Sequence, residues 1–572
     1  MEKKYLSFVC FCFFSILAAQ TPAFQWSKGT GGAFNDEPFG ICTDAGGNVY
    51  TAGQFSISGD FDPGPGTVNL TSQGDNDIFI SKVDPNGNYV WAKQVGGLYP
   101  DNVSSMTNDP AGNLYITGTF AGAVDFDPGP GTFVLSTNGS PIINTYVLKL
   151  DMNGNFLWAL RVGDGVQNYP TSQAICLDGP GNIYLSGQFT GTRDFDPGPG
   201  VSSLVAAGSM VFLLKLDPSG NFVWAKAIGA THAPSVVVDG SGNVYTGGTF
   251  FGTGDFDPGI GVSNLISFGN NDGYILKLNS AGNFVWARQF GGTSSDQLMS
   301  VALDCYGNVI GAGNFIGTFD ANPGTAVSNF TTLSASNDVF VVKLDPGGNF
   351  IWADQVGGPT TEWLSFMNTD VAGDIYLTGY YMGFGTDLDP GPDTYTVSPA
   401  GPKSLFIEKL TGSGNFVWAF GYGTVNEAAI GNVITIDNSF NVYFSGWFEN
   451  TIDFNPFVGI SNLSPATAFF SDNFILKFSQ PNGTPVPIII TSNSPLCSGQ
   501  TAQLTASGSG TLTWYASPTS TTGISTGAIF VVPNVTANVN YYVNCQVCGF
   551  TSTLTPVTVS VNPLPNVTVS AN

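Results

Sequence analysis

Apolar residues along this chain come in short runs of period two, each closed by Gly, Asp, Asn or Pro, and no long stretch carries a helical period. The runs are therefore predicted to be strands joined by tight turns. They also repeat. Trp recurs at Trp26, Trp91, Trp158, Trp224, Trp286, Trp352 and Trp418, at intervals of 62 to 67 residues, mostly in the phrase Gly-Asn-aromatic-aliphatic-Trp-Ala. Four runs fill each unit. A Gly-rich break such as Gly96-Gly97 follows the Trp run, and the next run ends in Asp (Asp44, Asp109, Asp178, Asp239, Asp304, Asp370, Asp437). A third run opens four residues later, as in Asn48-Val49-Tyr50-Thr51-Ala52-Gly53, and a fourth holds one Lys (Lys82, Lys149, Lys215, Lys277, Lys343, Lys409, Lys477). The fourth returns to Trp through turns such as Asp84-Pro85-Asn86-Gly87-Asn88, where Asp caps its own backbone and Gly takes positive φ. Each unit is thus predicted to be a four-stranded antiparallel meander.

One such meander leaves both faces wet, whereas seven packed radially bury them. The prediction is an all-β chain in which residues 21–479 form a seven-bladed β-propeller. The last Lys run, Asn473–Phe478, has no Trp run after it, and the Trp run Phe24-Gln25-Trp26-Ser27-Lys28 has no unit before it. Pairing the two shuts the ring without a free edge. An open β-solenoid, the competing architecture, would not require this permuted pairing. The repeated phrases Asp-x-x-Gly-Asn-Val-Tyr-x-x-Gly and Lys-Leu-Asp-x-x-Gly-Asn-Phe-x-Trp resemble the bacterial SBBP family of seven-bladed β-propeller repeats over about residues 22–480. That resemblance implies an extracellular or cell-surface protein and specifies no ligand.

Composition narrows function more than fold. The 572 residues include 74 Gly and 35 Pro, and 13% are aromatic, too many for a disordered chain. Thirty-five Asp and six Glu against 16 Lys and Arg give a net charge of −25, which excludes a basic nucleic-acid surface. The single histidine, His232, leaves little room for His-based metal or triad chemistry. Gly523-Ile524-Ser525-Thr526-Gly527 lacks the helix that must follow a nucleophile elbow. No catalytic residue is assigned. Residues 1–20 read as a signal peptide, with Lys3 and Lys4 ahead of apolar Leu6–Ala19 and a polar break at Gln20. No other segment approaches membrane-spanning length. The mature chain is expected to be exported, monomeric and without a transmembrane segment.

About twenty residues separate the third and fourth runs, and they hold the phrase Asp60-Phe61-Asp62-Pro63-Gly64-Pro65-Gly66. It recurs at Asp125–Gly131, Asp194–Gly200 and Asp255–Gly261, and more weakly at Phe319–Gly324, Asp387–Pro392 and Asp453–Gly459. In a meander these loops and the Gly-Gly breaks leave one face of the disc, and the Asp-x-x-Gly-Asn turns the other; the loop face is the expected binding face. Carboxylates at i and i+2 beside Gly resemble the opening of a calcium loop. Asp60, Asp62, Asp125, Asp127, Asp194, Asp196, Asp255, Asp257, Asp387 and Asp389 are the candidate ligands, and calcium the candidate cofactor. In the competing structural reading Asp caps the turn, Phe plugs the blade and Pro-Gly bends the chain. Likewise the repeated Lys either forms a basic ring for an anion or lays its stem across a Trp or pairs with an Asp; packing alone explains a Lys at one fixed strand position.

Periodicity stops near Ser479. Residues 480–487 read as a linker, and 488–562 turn to Ser, Thr and Val with alternating strands at Thr501–Ala506, Thr511–Tyr515 and Asn540–Val543. This region resembles the Ig-like β-sandwich domains of large Bacteroidetes surface proteins. By that resemblance Cys497 would bridge to Cys548 and leave Cys545 over, with Cys497–Cys545 as the alternative; export permits either. Cys42, Cys176 and Cys305, in or beside inner-strand runs, read as buried thiols. Residues 563–572 look like the start of a further domain. The expected function is non-enzymatic binding or adhesion at the outer surface, the loop face taking an extracellular glycan or protein. The alternatives are a carbohydrate-active or quinoprotein-like propeller enzyme, and a purely structural scaffold. Periodic acids favour structure, because a catalytic carboxylate pair stands out singly.

Overall fold

The computed structural model describes residues 21–137, 142–163, 171–333, 336–397, 403–423, 428–467, 470–480, 488–491, 495–507, 511–547 and 550–562. The expected signal peptide, residues 481–487 of the linker, Cys548 and the expected start of a further domain lie outside them. Among the described residues there are strands and turns and no helix.

The tight turn organises each unit. Asp44 Oδ1 accepts the N–H groups of Gly46 (2.9 Å) and Asn48 (3.0 Å), Gly47 takes φ 76°, and Asp44 Oδ2 accepts the Tyr50 hydroxyl at 2.8 Å. Blade 1 then runs outward as Glu37–Thr43, Val49–Phe55, Asp77–Val83 and Tyr89–Gly97, each strand antiparallel to the next. Blades 2 to 6 repeat this order at residues 102–162, 171–228, 232–292, 297–356 and 362–422. Blade 7 takes Ala429–Ile436, Val442–Phe448 and Asp472–Ser479 from its own unit and its outer strand, Ala23–Gly32, from the other end of the chain. Trp26 lies opposite Lys477 in that closing pair. Each innermost strand touches the next, and that of blade 7 touches that of blade 1, so the ring closes as expected.

Apolar faces between blades form the core. Tyr50, Ile78 and Ile80 of blade 1 bury against Ile116, Phe126 and Leu148 of blade 2, each side chain contributing roughly 1.5–3 kcal/mol. The repeated Lys belongs to this packing. Its Nζ sits 4.8 Å over Tyr50 for Lys82, 4.9 Å over Tyr245 for Lys277 and 5.2 Å over Tyr443 for Lys477. The repeated Lys stands between two rings, Tyr on the second strand and Trp on the outer one, as Lys82 does between Tyr50 and Trp91. It lies closer to the Tyr, and Lys149 is also 5.9 Å from the centroid of the expected Trp, Trp158. Lys343 also pairs with Asp304 at 2.9 Å. Lys477 Nζ and Trp26 Nε1 both donate to the Pro85 carbonyl of the next blade, at 2.8 and 3.2 Å.

The loop between second and third strands is a small hairpin that reaches the preceding blade. Ala123–Asp125 pairs with Val134–Ser136 and also with Gly96 and Gly97 at the outer edge of blade 1. Ser58–Asp60 does the same against Gly31 and Gly32 of blade 7, and Thr318–Asp320 against Gly291 and Gly292 of blade 4. In blades 4 and 6 a backbone bond makes the same reach, from Gly229 N–H to Asp255 O at 2.7 Å and from Gly357 N–H to Asp387 O at 3.2 Å, so these five excursions are clasps between blades.

Residues 488–562 form two facing sheets, with Trp514 buried between them and donating to the Gly527 carbonyl at 2.9 Å. Ala372 and Phe440, in the turns after the inner strands of blades 6 and 7, belong to the core of this sandwich, which therefore sits on the turn face. Cys42 is a buried thiol, as expected. Cys305 is not: it lies exposed in the turn after the inner strand of blade 5 and is disulfide-bonded. The turn lifts it out of the strand to the face on which the sandwich sits.

Candidate functional site

The innermost strands surround an axial channel. Each carries a β-bulge at the same step, between Pro38 and Gly40 in blade 1, Leu298 and Ser300 in blade 5 and Gly431 and Val433 in blade 7, for example. A bulge inserts one residue and bends the strand, and the inserted Phe39, Ser104, Gln173, Met299, Ser365 and Asn432 line a cavity of about 540 Å³. Neighbouring bulges interlock: Asn432 Nδ2 donates to the Pro38 carbonyl at 3.0 Å, and Gln173 Oε1 accepts the Ala233 N–H at 2.7 Å.

Toward the loop face, the ladder pairs just beyond these bulges form a second ring: Glu37 with Gln54, Asn102 with Thr119, Thr171 with Gln188, His232 with Thr249, Gln297 with Asn314, Trp363 with Tyr380 and Ile430 with Trp447. Blades 1 to 5 are polar here and blades 6 and 7 aromatic. Trp363 stacks on Tyr380 with ring centroids 6.5 Å apart and planes 14° from parallel. Lys403 Nζ lies 5.1 Å from the Tyr380 centroid, and its carbonyl accepts the Ala429 N–H at 2.9 Å where the chain enters blade 7. Burial pushes the Glu37 carboxyl up, against the opposing pull of a hydrogen bond from Gln54 and the charge of Lys403. The result is a flat aromatic surface bounded by a cation, a carboxylate and amides. The excursions around it expose apolar tips, Ile260, Val262 and Phe268 in blade 4 among them.

The Asp residues singled out from the sequence lie in the clasps. Asp60 Oδ1 accepts the N–H groups of Asp62 (3.0 Å) and Val68 (2.8 Å), and Asp62 Oδ1 that of Gly64 (2.8 Å). Asp125 and Asp127, Asp194 and Asp196, Asp255 and Asp257, and Asp387 and Asp389 repeat this arrangement within their own loops. Among the described residues no three of His, Cys, Asp and Glu gather as a metal-ligand group. His232 stands exposed at the head of its strand. Cys497 carries a free, exposed thiol and does not make the expected bridge, because it precedes the Gln500–Ser507 strand at the surface, its N–H held by Gln500 Oε1 at 2.9 Å. Cys545 is buried in the sandwich core, and Cys548 lies outside the described residues.

Sequence reading missed the aromatic sector. The signal was available: the position after the recurring Gly reads Gln54, Thr119, Gln188, Thr249, Asn314, Tyr380 and Trp447, varying where its neighbours repeat.

Residues 90–119 match the SBBP beta-propeller repeat family, and residues 485–563 the Ig-like domain described as CHU_C associated. Among curated proteins, an uncharacterized WD repeat-containing protein of Acanthamoeba polyphaga mimivirus is 23% identical over 505 residues, covering 75% of this chain and 36% of that one. The regulatory protein FlaEY of Caulobacter vibrioides is 28% identical over 152 residues, or 25% of this chain and 16% of its own length. The chain thus spans well under half of each of these relatives. A crystal structure of a protein of unknown function from Bacteroides caccae aligns with 10% identity and a TM-score of 0.28, covering 70% of this chain and 94% of that one. Among the described residues no helix is long and apolar enough to cross a membrane.

Proposed function

We propose that this is an exported, non-enzymatic surface protein whose propeller holds an extracellular glycan at the loop-face mouth of the channel. The observation that carries the reading is the stacked Trp363–Tyr380 pair with Lys403 against it, in a ring whose other positions are mostly amides and hydroxyls. A sugar ring offers a C–H face to an aromatic surface and hydroxyls to amides and charged groups, which is the division of labour in this sector. The Ig-like sandwich rests on the opposite face, which supports the loop face as the one presented to a ligand and the sandwich as its spacer.

The test is a screen of the whole chain against immobilised glycans and matrix proteins, with the unbound fraction analysed for cleavage products. Glycan capture without turnover is expected, and Trp363→Ala should weaken it at least tenfold while the melting temperature stays put. Product release would establish an enzyme instead, and capture indifferent to Trp363 would move the site elsewhere.

A further inference from the structure

The loop face carries a second repeated arrangement, beneath the clasps. Where the outer strand of one blade passes into the next, the entering chain places an acid four residues after the Gly-Gly break: Asp36, Asp101, Asp296 and Glu362. One carboxylate oxygen of each accepts the N–H of the second Gly, at 2.6 Å from Gly32, 2.8 Å from Gly97, 2.6 Å from Gly292 and 3.1 Å from Gly358. The backbone then docks it on a second acid. Asp36 N–H donates to Ser471 O, Asp101 N–H to Asn76 O and Asp296 N–H to Asn271 O, each carbonyl belonging to the residue just before Asp472, Asp77 or Asp272. Those three, with Asp338, stand in the third strands of their blades, each opposite a Phe.

Two carboxylates therefore meet at four blade interfaces, all eight side chains at most 5% exposed. In every pair the third-strand acid has one oxygen held, Asp77 Oδ2 by Gln94 at 2.7 Å and Asp272 Oδ2 by Gln289 at 2.6 Å, while its Oδ1 is buried without a hydrogen-bond partner. The same is true of Oδ1 in Asp338 and Asp472, and in Asp36. A point beside Gly31 Cα, where only glycine leaves room, is 2.6 Å from Asp472 Oδ1 and 2.9 Å from Asp36 Oδ2. The acids also come and go together. The third-strand position holds Met210 in blade 3 and Ser404 in blade 6, and the matching entry positions hold Thr231 and Ala429. Acids retained only for turn capping would have no reason to vanish as pairs.

We propose that each pair, Asp36 with Asp472, Asp101 with Asp77, Asp296 with Asp272 and Glu362 with Asp338, binds a divalent cation between blades. Hard carboxylate oxygens amid backbone carbonyls favour calcium, which accepts irregular oxygen shells, over magnesium. The ion neutralises two buried like charges and fills the oxygens left without donors. It does not need the Asp-Phe-Asp carboxylates, whose Oδ1 atoms are engaged in their own turns.

The whole chain, stripped with chelator and titrated with calcium, should take up close to four equivalents by calorimetry, and its melting temperature should rise with each addition. Asp77→Asn with Asp101→Asn should remove one equivalent and leave the rest, and Asp60→Asn with Asp62→Asn should remove none. Native mass spectrometry of the wild-type chain reads the stoichiometry should the first double variant fail to fold. A wild-type chain that binds no calcium and melts identically with and without chelator, its acid pairs then sharing a proton, overturns the proposal. So does calcium lost with Asp60 and Asp62 but kept without Asp77 and Asp101.

Discussion

Glu408 departs from its own repeat. It sits mid-strand in blade 6 at a register that holds Ser81, Leu148, Leu214, Leu276, Val342 and Leu476 in the others, fully buried, with neither carboxylate oxygen hydrogen-bonded. Burial first, then the charges of Asp389, Asp354 and Asp387, push its carboxyl well above the usual range. The folded chain therefore keeps a proton that the unfolded chain releases. The sign follows: the stability available at this site is full below the unfolded value of about 4.3 and is lost as pH rises toward the folded value. Glu408→Leu should raise stability near neutral pH by about 1–3 kcal/mol and flatten the decline above pH ~4.5. Melting both chains at pH 4 and pH 7 checks this, and identical midpoints at pH 7 would refute it. Turn residues were legible from sequence because Asp44 and its counterparts act on backbone a few positions away. Glu408 was not, since its environment comes from another blade and a distant loop.

At the scale of elements, the four strands per unit could be read from period-two runs and turn chemistry, and so could the Phe that plugs five of the blades, its place taken by Ala321 in blade 5 and Leu388 in blade 6. The clasp could not. Its partners Gly96 and Gly97 bring no side chains, so nothing in their pattern marks them as the ladder for Ala123–Asp125. The plug carries most of the clasp's energy. Phe126 is fully buried, 5.3 Å from Phe120 and 4.9 Å from Tyr146 between ring centroids. Phe126→Ala should cost about 3–5 kcal/mol, measured by urea unfolding. Asp127→Asn should stay within about 0.5 kcal/mol, because blade 5 already uses Asn322 at that place, its Oδ1 accepting the Gly324 N–H at 2.8 Å. A large loss from Asp127→Asn would show that the carboxylate charge itself holds the loop.

At the scale of the whole molecule, ring closure was legible because an orphan Trp run and a missing one had to meet, whereas the seat of the Ig-like sandwich was not. Its trace is Phe440, which occupies the turn position filled by Gly47, Gly112, Gly181, Gly242, Gly307 and Gly373 in the other blades. Phe440 takes φ 61°, a left-handed conformation that costs a residue with a side chain roughly 1–2 kcal/mol. The cost is offset because its ring enters the core of the sandwich beside Ala372, and burying a Phe contributes about 1.5–3 kcal/mol. Phe440→Gly removes strain and contact together. The propeller should then melt within a few degrees of wild type, while the sandwich melts earlier and separately, and proteolysis between residues 480 and 487 speeds up. The comparison belongs under reducing and non-reducing conditions, since Cys305 is disulfide-bonded on this same face. Should the sandwich keep its wild-type transition after reduction in the variant, Phe440 is a tolerated strain with no part in docking, and the sandwich is held by other contacts.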